Sequence, residues 1–150
     1  MERRSSNYYK NARQVSGLTQ ERWAETLGVS VDSVRLYESG RGLPSDDVVL
    51  LMAEVTGLSI LPLWHLRNKS SLANDMLPDV PDVPLPEAVL RLLSAIKSVS
   101  GVVDNLIEIA SDGIVDDRET ALFAEIADDL DVVIEAALAV KYSGGMAHAE

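Results

Sequence analysis

Arg35 and its neighbours Val31, Asp32 and Ser33, with Leu36 further along, combine on one short segment the side-chain types that read base edges. An arginine fork can give two parallel donors to guanine, and an aspartate can accept from the amino group of cytosine. A serine can do either, and a valine can touch the thymine methyl. Each also has a plainer use: Asp32 and Ser33 favour a helix start, and Arg35 can neutralise a phosphate. The other reactive side chains offer less. The two histidines are His65, inside the apolar run Leu63-Trp64-His65-Leu66, and His148, in a glycine-preceded tail; neither has a nucleophile or metal partner at useful spacing. A lone histidine on an apolar helix is more often packed than catalytic. There is no cysteine, hence no thiolate site and no disulfide framework, and no phosphate-cradling glycine loop. The sequence predicts no enzyme, cofactor or metal. Glu108, Asp112-Gly113, Val115, Asp116 and Glu119 mimic half of a calcium-binding EF-hand loop, yet Ala110 stands where its third oxygen donor belongs. The same residues make an interhelical turn in which Gly113 ends one helix, Asp116 caps the next and Glu119 completes a capping box.

Around the polar face lies a longer pattern at fixed spacing: Arg13, Gly17, Leu18-Thr19-Gln20-Glu21, Ala24, Leu27-Gly28-Val29-Ser30, Val34, Tyr37-Glu38, Gly40 and Pro44. This pattern resembles the helix-turn-helix domains of the lambda repressor/Cro type, also called XRE-type, in which the second helix braces the third against the DNA major groove. The resemblance covers about the first 70 residues. It implies a phage or prophage repressor-like regulator, with Gln20 anchoring to backbone phosphate at the start of the second helix and Ser39 and Arg41 doing so after the third. Val31, Asp32, Ser33, Arg35 and Leu36 would form the reading edge, with Ser30, the cap of that helix, also among the DNA-binding residues. By the same matching, Arg13 and Glu38 take the places of an internal ion pair. Trp23 stands where leucine is frequent and Tyr37 where tryptophan is frequent.

The elements that must position these residues are helical throughout: the expected class is all-α, with a five-helix N-terminal domain (1–70), an acidic proline-rich linker (71–86), a helical hairpin (87–142) and a tail (143–150). Helix one should run from Ser6 to Ser16 with Tyr8 or Tyr9, Ala12 and Val15 inward. Thr19 should cap helix two, which buries Trp23, Ala24 and Leu27, and Ser30 should cap helix three, with Val34 and Tyr37 turned to the core. Ser45 opens a helix carrying Val49, Leu51, Met52 and Val55, and Leu61 to Leu66 forms a short fifth. Pro78, Pro81, Pro84 and Pro86 favour an extended, stiff spacer. It serves either as a connector or as a docking peptide for a partner groove.

Beyond the spacer, Val89, Leu92, Ile96, Val99, Val103 and Leu106 follow one another at alternating steps of three and four, as do Phe123, Ile126, Leu130 and Val133. Two helices with apolar faces this wide form an antiparallel hairpin and leave a stripe over. A second copy would cover it as a four-helix dimer, or the hairpin would pack on its own N-terminal domain. Charge divides the same way. Residues 1–70 hold nine Lys or Arg against eight Asp or Glu, and residues 71–150 hold four against sixteen, so a nearly neutral reading domain, with Arg3, Arg4, Lys10, Arg22, Arg67 and Lys69 among its cations, adjoins an acidic half. The expected partners are double-stranded DNA and a second copy. No apolar run has the length of a signal peptide or a membrane span, which predicts a cytoplasmic protein. Two readings of function follow: a dimeric repressor on an inverted repeat, and an antitoxin or antirepressor whose acidic hairpin binds another protein. A ligand sensor has less support, since the hairpin stripe holds few polar residues.

Overall fold

The computed structural model describes residues 7–143, and every described element is a helix. The expected helical start at Ser6, the cations Arg3 and Arg4, His148 and the tail beyond Ser143 lie outside the described residues. The chain divides into two units with the boundary between Leu77 and Pro78.

The first unit contains α1 (Tyr8–Ser16), α2 (Gln20–Leu27), α3 (Val31–Glu38), α4 (Asp46–Thr56), α5 (Leu61–Lys69) and α6 (Ser71–Met76). Local chemistry sets most of the ends. Asn7, Thr19, Ser30, Ser45 and Ser70 each accept backbone N–H groups of the turn they precede, which satisfies donors a helix start leaves unpaired. Between α2 and α3 the chain reverses through Gly28 at φ 66°, a left-handed conformation that costs glycine no Cβ clash. Tyr9, Ala12, Trp23, Ala24, Leu27, Val34, Val49, Met52, Leu61 and Trp64 are buried, and the Tyr8 and Trp64 rings stack at 4.5 Å.

Two residues expected in this core lie outside it: Val15 is 56% exposed and Val55 43%. The reason is the same for both. In each helix the two residues at preceding steps of three, Tyr9 and Ala12 or Val49 and Met52, are buried, and two steps of three turn a helix about 120° away from its starting face. Leu51 is half-buried. The fifth helix runs a turn past Leu66 and ends with Arg67 and Lys69 near its C-terminus, where positive charge suits the helix dipole. A sixth helix, capped by Ser70, occupies the first residues of the expected spacer, so the extended stretch is confined to 77–84.

The second unit holds α7 (Leu85–Ser100), α8 (Val103–Ala110) and α9 (Thr120–Ser143), with α7 packed along α9. The first long C-terminal helix of the sequence reading is two helices. At the break the amides of Gly101 and Val102 bond to Ser98 and Val99, three residues back in place of four, and a Cβ on Gly101 would sit 3.3 Å from the Ser98 carbonyl. Serine, valine and glycine are weak helix formers, and the ladder tightens there before restarting from Val102. The Asp112–Glu119 turn has the hydrogen bonds of a capping box: Asp116 Oδ1 accepts from the Glu119 amide at 3.0 Å while Glu119 Oε2 accepts from the Asp116 amide at 3.1 Å. Among the described residues no cluster of His, Asp or Glu could hold a metal ion.

Burial in this unit divides the apolar stripes of the sequence reading. Ala88, Ala95, Ile109, Ile126, Ala136 and Ala139 are buried, and Leu92, Val99, Leu106 and Val133 half-buried. Val89, Ile96, Val103, Phe123 and Leu130 are exposed. Alternate members of each stripe therefore face opposite environments.

Candidate nucleic-acid interface

The first unit concentrates polar hydrogen bonds at the end of α3. Glu38, its last residue, accepts through Oε1 from Arg13 Nε and through Oε2 from Arg13 Nη2 at 3.1 Å and Gln20 Nε2 at 2.9 Å. The remaining arm of Arg13 donates to the Leu18 carbonyl at 3.0 Å, so one guanidinium ties α1, the α1–α2 turn and α3 together. Arg13 and Glu38 side chains are 17% and 8% exposed. Burial by itself would push the Glu38 carboxyl up, but hydrogen bonds from Arg13 and Gln20, with the Arg13 charge, outweigh it and hold the group below the ordinary glutamate range. The Arg13 guanidinium is raised, chiefly by its hydrogen bond to Glu38.

From the main chain the same helix end is held by Asn7. Its Nδ2 donates to the carbonyls of Tyr37 at 2.8 Å and Glu38 at 2.9 Å, while its Oδ1 accepts the Tyr9 and Lys10 amides that open α1. The sequence reading gave Asn7 no role. Its signal was weak: an asparagine ahead of a helix suggests a cap, but its second set of partners lies 30 residues away.

The face of α3 directed outward carries the reading candidates. Arg35 Nη1 lies 3.0 Å from Asp32 Oδ1, and the side chains are 57% and 85% exposed. Such an exposed pair is worth about 0–1 kcal/mol, so redirecting either group toward a base edge is cheap. Ser30 is committed to its cap: Oγ accepts the Ser33 amide at 3.0 Å and lies 2.8 Å from Ser33 Oγ. Val31 is half-buried and Leu36 exposed. Past the helix, Ser39 Oγ donates to the Leu36 carbonyl and accepts from Arg41 Nε at 3.2 Å. Gln20 shares its amide with Glu38, which fixes the side chain at the start of α2 and leaves one N–H over. The geometry thus groups Gln20, Arg13 and Glu38 in one network and Asp32 with Arg35 in another.

His65 sits in the core of the unit, 3% exposed. Its Nε2 is 3.1 Å from Asp46 Oδ1 and its Nδ1 2.8 Å from the Tyr9 hydroxyl. The Asp46 carboxylate can only accept, so Nε2 donates, and in the neutral ring Nδ1 then accepts from Tyr9. The Lys69 ammonium, and after it His65, hold the Asp46 carboxyl below its usual value. Tyr9 in turn meets the Tyr37 ring edge-on at 6.5 Å, so the polar core supports α3 from behind.

Residues 10–63 match the family model described as helix-turn-helix. The N-terminal unit accordingly carries an XRE-type helix-turn-helix domain, the domain of DNA-binding transcription regulators. No curated protein and no solved structure matches the chain. No helix of the described residues is long and apolar enough to cross a membrane.

Proposed function

We propose that the protein is a dimeric, sequence-specific repressor of phage or prophage type that binds an inverted-repeat operator. The observation that carries the DNA-reading part is the exposed Asp32–Arg35 pair on a helix whose far end is fixed by Arg13, Gln20 and Asn7. A reading side chain must be free to meet the base while its helix is not free to turn. Arg35 reads guanine, Asp32 and Ser33 meet neighbouring edges, Val31 and Leu36 supply apolar contact, Gln20, Ser39 and Arg41 contact phosphate, and Ser30 adjoins the DNA as the cap that opens the helix.

The dimer reading is supported by the second unit, read as an antiparallel hairpin with α8 as the continuation of α7. Its inward positions advance by fours and threes through Ala88, Leu92, Ala95 and Val99 on one helix, and by a seven, a three and a four through Ile126, Val133, Ala136 and Val140 on the other. The residue after each inward position is rotated about 100°, and in an antiparallel pair this rotation carries both helices to the same side. On α7 and α8 that side has Val89, Leu93, Ile96, Val103 and Ile107; on α9 it has Phe123, Leu130 and Ile134, all exposed. The residues one position earlier, among them Arg91, Ser94, Val132 and Glu135, line a cleft of about 280 Å³ walled by Pro81. One side is thus partly covered by the chain itself and the other is apolar and open.

A second copy fits the open side. The 24-residue α9 is about 36 Å long, and two helices side by side are about 20 Å wide. The face is then about 700 Å², close to the roughly 800 Å² each partner contributes to a stable interface. Selecting sites from a random duplex library at two salt concentrations, with sedimentation of the same protein, tests the whole reading. An enriched inverted repeat and a dimeric mass support it. No enriched motif at either salt overturns the regulator, and a monomer that captures a different chain on this face is the antitoxin or antirepressor reading.

A further inference from the structure

We infer that Asn7 is a positioning residue for base reading, acting through the C-terminal end of α3; this rests on the DNA-reading proposal above. One side chain joins two helix ends of opposite need. The start of α1 has amides to satisfy, and Asn7 Oδ1 accepts two of them, from Tyr9 at 3.1 Å and Lys10 at 3.0 Å. The end of α3 has carbonyls to satisfy, and Asn7 Nδ2 donates to two of them, on Tyr37 and Glu38. The four partners fix the orientation of the amide, since turning it over would set its N–H groups against amides and its oxygen against carbonyls. Asparagine is suited to this because it carries both an acceptor and a two-hydrogen donor at one reach. Serine or aspartate caps α1 equally well but cannot supply both donors to α3.

The consequence for recognition follows from where the clamp lies. α3 is held at its start by the Ser30 cap and at its end by two ties, the Glu38 side chain to Arg13 and Gln20 and the main chain to Asn7, with Arg35 one turn before that end. Releasing the main-chain clamp leaves that end tied through the rotatable Glu38 side chain alone, which lets the helix turn about its fixed start and moves the Arg35 fork. A bidentate base contact tolerates only about 0.5 Å or 10–20° of misplacement, whereas attraction to phosphate depends on charge and hardly on angle. Loss of the clamp therefore lowers the preference for the operator over other DNA more than it lowers DNA binding as such.

The test compares Asn7→Ser and Asn7→Asp in the full chain, with two readouts. In the absence of DNA, amide hydrogen exchange at Ser39, Gly40 and Arg41 should quicken by about tenfold in both, while the α1 amides stay protected, because about two hydrogen bonds are lost at one end only. On the selected operator, both variants should bind about tenfold more weakly, with binding to random duplex changed by no more than about twofold for the uncharged serine. Unchanged exchange at the end of α3 in both variants overturns the clamp. Faster exchange with an unchanged ratio of operator to random-duplex affinity overturns its role in reading. Should the wild-type chain select no sequence, the DNA-reading proposal fails and takes this role with it, while the exchange result still decides whether the clamp exists.

Discussion

The two units differ in the size of the side chains they bury. In the first, the fully buried residues include Trp23, Met52 and Leu61, with Val15 and Val55 among the large apolar residues left outside. In the second, four of the seven buried apolar residues are alanines, beside Val80, Ile109 and Ile126, while Leu90, Leu93, Ile96, Ile107, Phe123 and Ile134 stand exposed. Burial of a large side chain contributes about 1.5–3 kcal/mol and that of an alanine far less. The first unit thus draws more of its burial from large side chains, although Leu50, Leu72 and Met76 lie outside it, whereas in the second unit alanines make up most of the buried positions and many of the large apolar groups lie on the surface. The polar chemistry divides the same way, with the half-buried ion pair of Arg13 and Glu38 and the His65 network both in the first unit.

The sharpest way to break this contrast is to place charge on the open face. Leu93→Asp combined with Ile134→Asp should weaken self-association about 100-fold or more, because each partner would bury unpaired carboxylates; sedimentation over a concentration series measures it. An unchanged dimer would mean that the copy sits elsewhere.

In the first unit the largest effect belongs to the half-buried Arg13–Glu38 pair. Glu38→Gln should lower stability by about 2–3 kcal/mol, since it leaves the Arg13 charge without its counterion, as measured by urea unfolding at neutral pH. The acid dependence supplies a second check. Glu38 is held below its ordinary range in the folded chain, so its contribution is present above the unfolded value near pH 4.3. It is lost as pH falls through the lower folded value. The variant should accordingly lose less stability on acidification than the wild type.

Arg35→Ala should cost about 1–3 kcal/mol of operator discrimination and relax one position of the site. Thermal stability should barely move, because the pair with Asp32 is exposed. A matching loss on all sequences would make Arg35 a phosphate contact. The smallest effect is expected at Val15→Lys, within about 0.5 kcal/mol, because its side chain is largely in solvent; a larger loss of melting temperature would show that this face is covered in solution.

Much of this contrast was legible in the sequence. Caps and turns depend on neighbours within a few residues, so Thr19, Ser30, Ser45 and the Asp116–Glu119 box could be read directly. The matched helix-turn-helix pattern also identified Arg13 and Glu38 as partners. The apolar stripes were visible as well, but alternating steps of three and four describe a band that spans two faces. Phase alone could not say that Leu92 and Val99 turn toward α9 while Val89 and Ile96 turn away.

What the sequence by itself determined about this protein is its all-helical character, its helix-turn-helix motif and the local ends of most helices, because those follow from backbone propensity, capping and short-range periodicity. The tertiary structure alone decided which members of each stripe are inside, that the first C-terminal helix breaks at Gly101, and that Asn7 and His65 join distant elements. Those depend on how helices meet, and a polar side chain finds a partner 19, 30 or 56 residues away only once packing has brought it there.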